Sequence, residues 1–136
     1  MSEGDPERLR SAYEAFNEGG VRAILEYLDP AIQVRDRPTM PDAATYHGRA
    51  GVKKMFDAIV EAFDHLEYEV VEVIDHGRHV VVVLKQHVRG RSSQIRVGGN
   101  TVHVWEIRNG RPITLMIFGS REQALAAVER NELRAI

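Results

Sequence analysis

The sequence contains no cysteine. That removes disulfides, thiolate metal sites and cysteine nucleophiles in one step. It lacks an excess of either charge: 18 Lys and Arg against 20 Asp and Glu leave a formal net charge of -2. No nucleic-acid partner is expected from such a balance. It also lacks a long hydrophobic run. The longest, Val80 to Leu84, is far too short to cross a bilayer, so no membrane partner is expected. The opening residues, MSEGDPERLR, are polar and acidic and do not read as a signal peptide. A soluble, cytoplasmic protein is the expectation. There is a single tryptophan, Trp105.

What is present is enough for a core. Hydrophobic residues make up 43% of 136 residues, which suits one domain over 1–136. DPERLRSAYEAFNEGG opens a helix, with Asp5 able to cap it and Pro6 in its first turn. Leu9, Ala12, Tyr13 and Phe16 form its apolar face. A second short helix carries Val21, Ile24, Leu25 and Leu28, and Asp29-Pro30 stops it. AIQVRD alternates as a strand ending at Asp36. RPTMPDAATYHGRAG reads as a loop, and its part from Arg37 to Thr45 is a candidate lid. A third helix from about Arg49 to Phe63 carries Val52, Met55, Phe56, Ile59 and Phe63 as a long stripe.

The period then changes to two. Four strands follow, in LEYEVVEVID, HVVVVLKQHVRG, SQIRVGGNTVHVWEIRNG and RPITLMIFG. Asn109-Gly110 is a hairpin signal, and Gly98-Gly99 suggests a bulge or bend. SREQALAAVERN closes as a helix, with Ser120 and Gln123 at capping-box spacing. Helices before a mostly antiparallel sheet indicate α+β. A long bent sheet covered by early helices makes a cone with a mouth, where ligand pockets form.

The stretches AYEAFNEGGVRAILEYLDPAIQVRD, YHGRAGVKKMFDAIVEAF and VHVWEIRNGRPITLMIFGSREQALAAV span nearly the whole chain. Their order resembles the nuclear transport factor 2-like superfamily, most closely its SnoaL-like branch. The resemblance implies the cone-shaped fold and leaves function open, because this superfamily hosts isomerases, cyclases, dehydratases, epoxide hydrolases and adaptors. Steroid isomerases of the superfamily carry a base in a V-x-D setting at the end of the first strand. VRD puts Asp36 there. Their second acid lies two residues before an aromatic on the penultimate strand. Counting back from Trp105 gives His103, so histidine replaces the acid. Their oxyanion tyrosine sits on the first helix. Tyr13 lies near that place, one residue out of register when Asn17-Glu18-Gly19 is matched to the helix end.

The residues themselves allow two readings of each. Asp36 is a general base if buried, or a strand-end carboxylate paired with Arg35 or Arg37. His103 shares strand parity with Trp105 and Ile107. It is a neutral donor to a developing oxyanion, or a core histidine bonded to Asp36, Tyr13 or a carbonyl. Val82, Leu84 and Gln86 share one parity, and Thr114, Met116 and Phe118 share another. With Phe16, Met55, Ile59, Phe63 and Trp105 these are expected to line an apolar cavity or fill the core. His76 and His79 lie across a turn without a third ligand, so no metal site is expected, and no cofactor either.

The function expected is cofactor-independent proton-transfer chemistry of isomerase, cyclase or dehydratase type on a small hydrophobic oxygenated ligand. Asp36 would take the proton, and His103 and Tyr13 would steady the oxyanion. The alternative is a non-catalytic ligand-binding or interaction domain. A homodimer is expected as well, because Val81 and Val83 on the second face of their strand need cover.

Overall fold

The computed structural model describes residues 5–36, 44–90 and 96–130. The elements run α1 (Asp5–Gly19), α2 (Val21–Leu25), β1 (Gln33–Asp36), β2 (Ala44–His47), α3 (Gly48–Ala62), β3 (Phe63–His76), β4 (His79–Gly90), β5 (Arg96–Arg108), β6 (Arg111–Phe118) and α4 (Arg121–Glu129). One curved, unclosed six-stranded sheet has the order β2-β1-β6-β5-β4-β3. Among the described strands, β1 and β6 run parallel and the other neighbours antiparallel. No described helix is long and apolar enough to cross a membrane.

Each face of the sheet has its own apolar cluster. The inner face gathers Leu9, Tyr13 and Phe16 of α1, Val52, Met55 and Phe56 of α3, and Val80, Val82, Leu84 and Trp105 of the sheet. The described residues of the helical stripes read from the sequence are thus the surfaces that pack here. The outer face gathers Val81, Val102, Val104, Met116 and Phe118 beneath Ala124, Ala127 and Val128 of α4. Val81 is fully buried within this single chain, and Val83 packs partly against the same cluster. α4 therefore covers Val81 within the chain and Val83 in part. Ser120 caps α4, its hydroxyl accepting from the Gln123 N–H at 3.1 Å.

Three local contacts hold the inner helices. The Asn17 side-chain amide donates to the Tyr68 carbonyl at 2.7 Å and accepts from the Tyr68 N–H at 2.9 Å. Since β3 is an edge strand, Asn17 satisfies backbone groups that no neighbouring strand can reach. The Arg49 guanidinium donates twice to the Leu28 carbonyl, at 2.6 and 3.2 Å, tying the start of α3 to the chain after α2. Gly48 N–H donates to the Ile32 carbonyl at 2.6 Å.

The structure departs from the sequence reading at β2 and at the glycine pair of β5. A short strand, β2, stands where a loop is expected and pairs antiparallel with β1. The register between β4 and β5 runs unbroken through Gly98 and Gly99, so no bulge sits there. Irregularities fall instead between Phe63 and His65, between Val70 and Glu72, and between Glu106 and Ile107. Residues 37–43 of the candidate lid lie outside the described residues.

Candidate functional site

Across the inner face, one rung of the sheet aligns Asp36 of β1, Ile117 of β6, His103 of β5 and Val82 of β4. Residues directly paired across strands share a face. Asp36 and His103 therefore flank Ile117, with backbones two strand spacings, roughly 10 Å, apart. A cavity of about 400 Å³ opens over this rung. Asp36, Tyr46, Met55, Phe56, Ala58, Tyr68, Gln86, Thr101, His103 and Ile117 line it. Apolar walls with a few convergent polar groups are the usual make-up of a small-molecule site.

Behind the lining lies a buried polar chain. The Trp105 indole N–H meets Tyr13 Oη at 2.9 Å, and Tyr13 Oη lies 2.6 Å from His103 Nδ1. Tyr13 is 1% exposed and His103 2%. Tyr68 packs edge-on against both rings, with centroids at 5.8 Å from Tyr13 and 5.4 Å from His103. Burial drives the His103 imidazole down to about 3, so it is neutral at ordinary pH. Burial also holds the Tyr13 phenol well above the ordinary tyrosine range, with the Trp105 hydrogen bond opposing. The Tyr68 phenol is raised by burial first and by the Asp36 charge second, which keeps it protonated beside that carboxylate.

Asp36, His103 and Met55 stand at the cavity, and Gln86 joins them from the parity read on β4. Tyr13, Phe16 and Trp105 lie one layer behind, in the inner core. The side chains of Ile59 and Phe63 lie outside the described part. Thr114, Met116 and Phe118 do not face the cavity. Met116 and Phe118 belong to the outer cluster, and the Thr114 hydroxyl donates to Glu106 Oε1 at 3.4 Å on that same face. The inner face of β6 instead carries Leu115, opposite Trp105 in the core, and Ile117, opposite His103 at the cavity.

The reason is a single extra residue. A hairpin closed tightly over Asn109-Gly110 would set Trp105 opposite Thr114. Ile113 is inserted between the pairs Ile107–Pro112 and Glu106–Thr114, and Trp105 meets Leu115 instead. One residue of slip exchanges the faces of everything beyond it. The sequence reading missed three polar lining residues, Tyr46, Thr101 and Tyr68, of which Tyr68 packs on both buried rings. The signal for Tyr68 was present, since Leu66, Tyr68 and Val70 alternate toward the face that Val82 and Leu84 occupy.

Another cleft, of about 300 Å³, lies at the other end of α1, among Arg8, Tyr27, Ile107 and Arg111. Among the described residues no three His, Asp or Glu side chains gather as a metal site.

A family model described as a SnoaL-like domain matches residues 9–114. No curated protein matches the sequence significantly. Solved structures match in fold. An NTF2-like protein of unknown function from Burkholderia pseudomallei K96243 superposes with a TM-score of 0.74 at 20% identity, covering 93% of this chain and 98% of that one. TerC, co-crystallised with polyporic acid, gives a TM-score of 0.72 at 19% identity, covering 90% and 96%. A protein of Jannaschia sp. CCS1, provisionally a SnoaL-like polyketide cyclase, gives 0.70 at 17% identity, covering 90% and 88%. Likeness at such identities is one of fold. The family match covers most of the chain, and by it the protein belongs to the SnoaL-like domain family.

Proposed function

We propose that the cavity over the Asp36–Ile117–His103 rung binds a small, hydrophobic, oxygenated molecule and catalyses proton transfer next to its carbonyl without a cofactor. The observation that carries this reading is a carboxylate and a neutral imidazole on one face of one rung, with a 400 Å³ cavity over both. The carboxylate of Asp36 takes a proton from the carbon beside the carbonyl. The electrons move to the carbonyl oxygen, and His103 stabilises that developing charge as a hydrogen-bond donor. The phenol of Tyr68, kept protonated beside Asp36, is a second donor in the lining. Return of the proton at another carbon gives isomerisation. Attack of the enolate on a second carbonyl gives cyclisation. The fold likeness to a protein co-crystallised with polyporic acid, and to one provisionally a polyketide cyclase, supports an oxygenated ring compound as the ligand.

Proton abstraction is tested without knowing the natural substrate. The protein is incubated with 2-tetralone in D2O, and loss of the proton signal beside the carbonyl is followed by NMR. Exchange faster than the buffer background is expected. Asp36→Asn keeps the side chain's size and removes the base, so the protein-dependent rate should drop about a hundredfold or more. Exchange that is unchanged in Asp36→Asn would remove Asp36 as the base.

A binding-only role is the second reading. What favours it is that Tyr13, the tyrosine matched to an oxyanion donor, bonds His103 and Trp105 instead of facing the cavity. Saturable binding of 2-tetralone with no exchange above background would establish this reading over the first.

A further inference from the structure

We propose that Tyr13 is a positioning residue that locks His103 as the Nε2–H tautomer, so that the pocket meets the imidazole only as a donor and selects ligands that place an acceptor oxygen there. The ligand half of this rests on the binding function proposed above. The tautomer half stands on the geometry of the buried chain alone.

The direction of each hydrogen bond follows from what each group is able to offer. An indole N–H donates and accepts nothing. Tyr13 Oη is therefore the acceptor in its 2.9 Å bond with Trp105. Its 2.6 Å contact with His103 Nδ1 has two possible senses. If Nδ1–H donated, the phenol oxygen would accept twice, and its own proton would be left over in a residue 1% exposed. Buried polar hydrogens are rarely left so. If the phenol donates to a bare Nδ1, the indole N–H, the hydroxyl and the imidazole Nδ1 are served in sequence, and the bonds polarise one another in one direction. The proton is firmly Tyr13's to donate, because burial opposes its loss. A neutral imidazole with a bare Nδ1 carries its single proton on Nε2. That proton belongs to a residue in the cavity lining.

Two roles are excluded by this arrangement. His103 has no lone pair left to offer the ligand, so it is not the base and the proton acceptor must be Asp36. Tyr13 does not touch the ligand, although its place on α1 near that of an oxyanion tyrosine suggested it would. Trp105 acts two bonds away: its N–H takes a lone pair of Tyr13 Oη and offers no acceptor, so the phenol proton goes to His103.

The test starts on the ligand-free protein with ¹⁵N-labelled histidine, His103 being assigned by its disappearance in His103→Gln. The expected spectrum shows a protonated Nε2 and an unprotonated, hydrogen-bonded Nδ1. In Tyr13→Phe the Nδ1 resonance should move toward that of a nitrogen without a hydrogen bond. A protonated Nδ1 in the parent protein overturns the lock, and so does an Nδ1 resonance indifferent to Tyr13→Phe. Should Tyr13→Phe not fold, the parent spectrum still decides.

The ligand half is tested by NMR titration with 2-acetylnaphthalene and with 2-isopropenylnaphthalene, which has a CH₂ in place of the carbonyl oxygen. The ketone should bind about tenfold more tightly, the order expected of one neutral hydrogen bond. His103→Leu should abolish the preference. His103→Gln should keep it, since a glutamine amide can accept from Tyr13 and donate to the pocket at once. Equal binding of the two compounds, or binding of neither, overturns the acceptor selectivity and leaves the tautomer result to stand on its own spectrum.

Discussion

A histidine that is 2% exposed, with no carboxylate bonded to it among the described residues, has one way to be stable, which is to stay neutral. Strand parity made its burial legible in the sequence, because His103 shares a face with Trp105 and Ile107. The Tyr13 bond was not legible, since it depends on how α1 lies across β5. Burial has a consequence for stability with pH. Unfolded, the imidazole takes up a proton near 6.5; folded, only near 3. Between those values the unfolded chain binds more protons, so acid favours unfolding. The contribution is complete above the unfolded value. It falls by about 1.4 kcal/mol per pH unit as the pH drops, until the folded imidazole itself protonates. Urea titrations from pH 7.5 to 4.5 should show this slope, and His103→Gln should flatten it. His79 is also lowered, chiefly by burial, so the comparison is made in a His79→Gln background. An equal slope in both proteins would mean that His103 is charged or solvated when folded.

Element by element, what was legible tracked the length of each periodic run. α1 and α3 bury the apolar faces that their spacing predicts, as far as their side chains are described. β2 was missed because Ala44–His47 is too short to establish a period. β6 was placed correctly but turned the wrong way. ITLMIF is apolar on both faces, so composition could not report a slip of one residue, and the insertion at Ile113 decides it. The turn before it was readable. Asn109 and Gly110 both have positive φ, 53° and 76°, as a two-residue hairpin of that twist requires. A Cβ on Gly110 would also push aside the flexible end of Arg8, which donates to the Gly110 carbonyl at 2.7 Å, so the positive φ carries most of the cost. Gly110→Ala should therefore destabilise by about 2 kcal/mol, while Asn109→Gly should change little. Urea midpoints of the two variants check this. Equal midpoints would mean that the turn does not constrain the hairpin.

At the scale of the whole molecule, one sheet separates two cores with different duties. The inner core carries the cavity, and its tryptophan reports on it. Trp105 is 2% exposed, so its emission should lie well to the blue of a water-exposed indole. The outer core is a plain apolar contact between the sheet and α4. Its seam holds Ala127, 1% exposed, over a cluster that includes Val81, Met116 and Phe118. Ala127→Glu would bury an unpaired carboxylate there or lift α4 away. Either outcome should lower stability by about 2 kcal/mol or more. If α4 lifts, Val81, Val102 and Phe118 form an exposed apolar face, and such faces associate. Sedimentation should then show larger species than the parent protein gives at the same concentration. Trp105 emission and ketone binding in the cavity should persist, because the inner core does not touch the substituted face. Loss of Trp105 burial together with α4 would show instead that the two cores fold as one cooperative unit, and that the cavity depends on the helix behind the sheet.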